Sequence, residues 1–238
     1  MKILKTYKQL FEKQSFKNYD LTTFFNIKNF VKEFDVNIVD ENGFSLLIYV
    51  IKELKVRRLS EDYILKIVKY LVENGANINH ITNVKDNALN WSVFHELYNV
   101  SKYLIENGIN IDNQDIYGSS PLMTTSVEGA YKIIDLLINN GCNVNLVDDK
   151  NQTALHIVSK YYKSYNNETK YKKSILRLLE SDIDWNIEDE TNKDFLDYLQ
   201  PNSIYPDYNS NLINEIKEKF PEKYKKYIRE KEAKKFNI

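Results

Sequence analysis

The chain has 238 residues, 42% of them hydrophobic, and its 33 basic and 34 acidic side chains leave a formal charge of −1. This is enough apolar material for a continuous core, and no global field draws the protein to nucleic acid or to a membrane. One cysteine, Cys142, excludes an intramolecular disulfide and a cysteine-based zinc cluster, and it fits a reducing compartment.

The first eight residues lack the apolar centre of a Sec signal, and no segment approaches the length of a membrane span, so the expected location is the cytoplasm. Lysine far outnumbers arginine, which occurs only at Arg57, Arg58, Arg177 and Arg229, and Asn, Ile, Tyr and Phe are abundant. A nucleotide bias toward A and T produces such a composition without selection for binding, so the 18 tyrosines carry little functional weight.

In chain order, Ile3, Leu4, Tyr7, Leu10 and Phe11 make one helical stripe. Leu21, Phe24, Phe25, Ile27, Phe30, Val31 and Phe34 follow as a dense apolar segment after Asp20. Then a phrase begins to recur: Asn74-Gly75-Ala76-Asn77-Ile78-Asn79, Asn107-Gly108-Ile109-Asn110-Ile111-Asp112 and Asn140-Gly141-Cys142-Asn143-Val144-Asn145, with successive glycines 33 residues apart. Weaker copies start at Phe34 and Ser181. A self-similar period near 33 marks stacked helical pairs.

Each copy follows an amphipathic stretch, such as Ile67, Val68, Leu71 or Ile133, Ile134, Leu137, whose spacing gives one buried stripe. Glycine just beyond the stripe predicts a left-handed helix cap, and Asn-x-Asn predicts turning backbone, because asparagine bonds its own main chain. Downstream, a second landmark holds the same register. Ser45, Asn87, Ser120, Thr153 and Asp194 each stand as a helix N-cap before Leu47, Leu89, Leu122, Leu155 and Leu196, and Pro121 falls at a first helical position.

The phrases Gly118-Ser119-Ser120-Pro121-Leu122, Asn151-Gln152-Thr153-Ala154-Leu155-His156 and Asn74-Gly75-Ala76 resemble the turn, Thr-Pro-Leu-His and Gly-Ala elements of the ankyrin-repeat family over residues 21–200. The resemblance implies an all-α ankyrin-repeat solenoid of helix-turn-helix units with short hairpin-like turns and helical caps, forming one elongated array. Its expected organisation is an N-terminal cap or degenerate repeat over 1–39, about five repeats over 40–200, and a C-terminal capping helix with a basic tail over 201–238, restarted at Pro221. Two units are long, and their extra residues, near 52–62 and 160–170, are expected as extended helix ends and surface loops. The tail's lysines alternate with glutamates, which reads as a solvated face with pairs such as Glu222 with Lys226 rather than a nucleic-acid contact.

No phosphate-binding glycine loop, zinc spacing or nucleophile elbow is present in the sequence, and the expectation is no catalytic residue, no metal and no cofactor. The resemblance gives His156 a structural role, bonding neighbouring turns. Cys142 reads as a buried packing residue, and the carboxylates Asp148, Asp149, Asp184, Glu188, Asp189 and Glu190 read as charges at hairpin tips. His80 has no partner for metal binding nearby, and His95 is expected as an exposed imidazole.

The resemblance also implies a non-catalytic module that binds a protein partner through the concave side, where hairpin tips and inner helices lie. The partner-binding candidates are Phe44, Asp86, Phe94, His95, Ile116, Tyr117, Glu128, Lys150 and Tyr161, with Lys52, Glu53 and Lys160 at further inner-helix ends. Large aromatic side chains there mark a protein interface, and the acidic tips favour a partner with basic surface. The chain is expected to be monomeric. Alternative readings are a cytosolic inhibitor or immunity-type protein that neutralises a toxin or enzyme, an effector acting on host proteins, and an enzyme with a site in the inter-helix insertions.

Overall fold

The computed structural model describes Phe16 and residues 20–162, 168–200 and 210–236. The stripe over residues 3–11 and the start of the expected C-terminal cap, residues 201–209, lie outside the described residues. Among those described there are twelve helices and one isolated antiparallel bridge, Val39 with Ser45. The chain divides into two compact units, Met1–Ile116 and Tyr117–Ile238.

The first unit holds α1 (Phe24–Glu33), α2 (Leu46–Val56), α3 (Glu61–Glu73), α4 (Ala88–Phe94) and α5 (Tyr98–Glu106). Helices α2 and α4 pack together, as do α3 and α5, and each row is tied to the other through α2 with α3 and α4 with α5. The sequence periodicity explains which faces meet. In α3, Ile64, Ile67, Val68 and Leu71 are all fully buried, one stripe at helical spacing. Helix α2 buries seven of its first nine residues, so it is the interior helix of its pair. Each such Leu or Ile side chain contributes about 1.5–3 kcal/mol on leaving water.

The predicted caps form. Ser45, Asn87 and Ser120 accept from backbone N–H groups of the first helical turn, and Asn87 and Asn90 bond reciprocally. Thr153 departs from this pattern: its hydroxyl bonds Nδ1 of His156 at 2.8 Å. Gly75 follows the cap residue of α3 with φ +88°, in the left-handed conformation, and nothing lies within 4 Å of where a Cβ would stand.

The Asn-x-Asn phrase does two jobs. The first asparagine turns its own chain: Asn77 Oδ1 accepts from Asn79 N at 3.1 Å. The second reaches the following repeat. Asn79 donates to the Gly108 carbonyl at 3.1 Å and accepts from Asn110 N at 2.7 Å, and Asn37 does the same with Gly75 and Asn77. In the second unit Asn145 links in this way to Asp182 and Asp184.

The second unit holds α6 (Pro121–Glu128), α7 (Tyr131–Asn139), α8 (Ala154–Tyr162), α9 (Glu168–Leu179), α10 (Phe195–Leu199), α11 (Ser210–Lys219) and α12 (Pro221–Phe236). Helices α6, α8 and α10 form the inner row, with α8 touching both others, and α7 packs on α9. Pro121 is at the first helical position, as expected. Of the two long stretches, the first extends α2 to Val56 and continues as a short link to α3, whereas residues 163–167 of the second lie outside the described residues.

Helix α12 lies against the last hairpin through its cations and its aromatic rings. Lys231 meets Asp194 at 2.6 Å and Asp197 at 2.9 Å, Lys234 meets Glu188 at 2.8 Å, and Lys223 donates to the Leu179 and Ser181 carbonyls at the end of α9. Tyr227 donates to Asp194 at 2.6 Å and its ring joins Trp185 and Phe195. Burial pulls the Lys231 ammonium down, but its bonds with Asp194, Tyr227 and Asp197 outweigh that and hold it above its ordinary value. One expected pair changes: Glu222 meets Lys225, not Lys226, which instead meets Glu230. The i,i+3 neighbour of Glu222 lies as near as its i,i+4 neighbour on a helix surface.

Candidate functional site

Helix α4 is seven residues long, and amides hold it at its start. Asn87 donates to the Asn110 carbonyl at 3.0 Å, and Asn113 donates to Asn90 Oδ1 at 2.9 Å and to the Lys85 carbonyl at 2.7 Å. Ala88, Leu89, Ser92 and Val93 face the core, where the Ser92 and Ser101 hydroxyls bond each other at 2.9 Å. The opposite face therefore presents Trp91, Phe94 and His95, three residues at i, i+3 and i+4.

Phe94 is 56% exposed, with its ring edge-on to Trp91 at 6.1 Å and to His95 at 5.1 Å. Phe44 joins them from the hairpin before α2, 5.9 Å from Trp91. Its backbone N–H donates to Asp40 Oδ1 at 3.0 Å, a bond that orders this hairpin. Lys52, on α2, places its ammonium 4.8 Å from the Phe44 centroid and 5.4 Å from that of Trp91, with Glu53 3.6 Å away.

His95 is half-buried rather than an exposed imidazole. Burial, and then Lys55 and Lys52, lower its pKa, so it is neutral at pH 7. Its Nε2 and the Trp91 Nε1 are both buried without a hydrogen-bond partner. Phe44, Phe94 and His95 are thus brought together as one cluster. Trp91, at its centre, was not among the sequence candidates, although its place three residues before Phe94 and four before His95 puts it on the same helical face.

The hairpin candidates of this unit stand apart in character. Asp86 is half-buried, and burial followed by the neighbouring Asp115 raises its carboxyl to about 6. Ile116 is exposed and its N–H donates to the Val84 carbonyl at 3.1 Å, which stacks one hairpin tip on the next.

In the second unit, Tyr117 is exposed and its carbonyl accepts from Asp149 N at 3.0 Å. Lys150 is exposed at the next tip, with its carbonyl accepting from Glu190 N at 2.9 Å. Glu128 is exposed at the end of α6, and Tyr161 is half-buried on α8.

The groups with chemical potential elsewhere are taken up by structure. His156 Nδ1 accepts from Thr153 N at 3.1 Å, so Nε2 carries the proton and donates to the Lys193 carbonyl at 3.2 Å, joining two repeats. His80 Nε2 meets the Gly43 carbonyl at 2.8 Å. Asp189 is nearly buried; burial pushes its carboxyl up, but bonds from Tyr198, Thr191 and the Lys193 and Thr191 N–H groups hold it well below its ordinary value. The Cys142 side chain is buried. Among the described residues no group of three or more His, Cys, Asp or Glu side chains is placed to hold a metal ion, and no helix is long and apolar enough to cross a membrane.

A family model described as ankyrin repeats (three copies) matches residues 15–115, and a second, described as ankyrin repeat, matches residues 117–149. Together they cover more than half of the chain. No curated protein matches it.

Proposed function

Since the chain belongs to the ankyrin-repeat family, whose members are generally protein–protein interaction modules, we propose that it binds a protein partner through its inner helices and hairpin tips and performs no chemistry of its own. The observation that carries this reading is the Phe44, Trp91, Phe94 and His95 cluster. A largely exposed phenylalanine ring is held on a short helix whose other face is locked into the core. Ordering such rings costs little additional entropy, and clustered aromatic anchors of this kind dominate protein interfaces. Asp86 and Ile116 in the first unit, and Tyr117, Glu128, Lys150 and Tyr161 in the second, are the further contacts of this reading.

The same reading takes residues 40–200 as the working repeats and residues 1–39 and 201–238 as caps, in a cytoplasmic monomer. The lysine and tyrosine contacts of α12 with Asp194 support a capping role for that helix.

The test begins with a partner captured on the full-length protein and purified. Its affinity should fall at least tenfold with Phe94→Ala and stay unchanged with Phe25→Ala, which removes an exposed ring on α1. Equal affinity for the Phe94 variant and wild type would sink the assignment of the site.

A further inference from the structure

The aromatic cluster of the first unit also has a sign of charge. The ionised groups acting on His95 are Lys55 and Lys52, and Lys52 lies over both the Phe44 and Trp91 rings. Glu53 pairs with Lys52 at 3.6 Å, so the unbalanced positive charge beside the cluster is that of Lys55, which is exposed without an ion pair among the described residues. The Trp91 indole N–H can only donate, and it has nothing to donate to. What this indole lacks is therefore an acceptor, and a negatively charged acceptor is held most strongly by such a donor and by the ammonium groups beside it.

Resting on the binding role above, we propose that this patch receives an acidic segment of the partner protein: an apolar side chain packs on Phe94 and Phe44, and a neighbouring carboxylate is held by Lys52 and Lys55, with the Trp91 N–H as a further donor. Trp91 Nε1 is buried in the unbound protein, so this donor is engaged only where the side chains over it give way. A basic segment would set its own cations against two ammonium groups and leave the indole donor unpaired. On this proposal the basic partner surface expected from the acidic hairpin tips does not extend to the aromatic patch.

The chain has two tryptophans, so the full-length ¹⁵N-labelled protein gives two indole signals, assigned with Trp91→Phe. It is titrated with two short phenylalanine-containing peptides that differ only in carrying glutamates or lysines. The expected result is a shift of the Trp91 signal with the glutamate peptide, at least tenfold weaker binding of the lysine peptide, and a tenfold loss with Lys52→Gln/Lys55→Gln. Equal shifts from both peptides, a shift from neither, or an unchanged affinity in the lysine variant overturns the proposal. With a captured partner, loss of binding in Phe94→Ala but not in Lys52→Gln/Lys55→Gln ends the acidic assignment while leaving the binding role standing. Loss in neither ends both.

Discussion

Asp86→Asn is expected to stabilise the protein at neutral pH and to lose about half of that advantage by pH 5. The Asp86 carboxyl sits at about 6 instead of 3.8, because burial and then Asp115 disfavour its charge. A raised carboxylate means that the folded state holds its proton more tightly than the unfolded chain, so stability rises as pH falls through about 6 toward 4. A shift of about two units corresponds to at most about 3 kcal/mol at pH 7. Solvent contact of the half-buried side chain reduces this to roughly 1–2 kcal/mol. At pH 5 the unfolded chain is still largely ionised but the folded carboxyl is mostly protonated, so about half of the penalty is already relieved. Urea unfolding followed by far-ultraviolet circular dichroism at pH 7 and pH 5 measures both values. Asp189 does not interfere in this window, because its lowered folded pKa contributes stability that is full above 3.8 and lost only as pH falls further. An Asp86→Asn variant no more stable than wild type at pH 7, or one whose advantage is the same at both pH values, would refute the reasoning.

Gly129→Ala should destabilise by about 2–4 kcal/mol. Gly129 has φ +60°, and an added Cβ would stand 2.8 Å from the Tyr171 ring, which is held by its hydroxyl bond to the Val127 carbonyl. Gly75→Ala also puts a side chain at positive φ, +88°, but in open space, and should cost only about 1 kcal/mol in thermal or urea unfolding; equal losses in the two variants would contradict the steric argument. Asn79→Ala removes a donor to Gly108 and an acceptor for Asn110, both at the surface, and should cost about 1 kcal/mol, measurable as faster amide exchange at Asn110. Lys231→Met leaves the buried Asp194 with its Tyr227 and N-cap bonds but no cation, at a cost of about 2 kcal/mol, whereas Lys226→Met, at an exposed pair, should be nearly neutral in the same unfolding assay.

The repeat was legible because its signals are local. Helix faces follow from i, i+3, i+4 spacing, and caps follow from one side chain bonding backbone two or three residues away, as at Ser45, Asn87 and Ser120. Phe94 and His95 were visible as members of the site because their offset from the Asn87 cap sets their helical face. Trp91 shares that face, but a large aromatic residue within a helix reads equally well as core, and only the packing of α4 on α2 and α5 decides which way it turns.

The sequence alone therefore determined the period, the caps, the buried stripes and the family resemblance, each set by bonds or spacings spanning a few residues. Tertiary structure decided what crosses 23 residues or more. The second asparagine of each Asn-x-Asn phrase bonds the following repeat, His156 bridges to Lys193, the α12 lysines find Asp194 and Glu188, and two lysines give the aromatic cluster its charge. Such contacts depend on which side chains the fold brings within about 3–6 Å, a distance that separation along the chain does not encode.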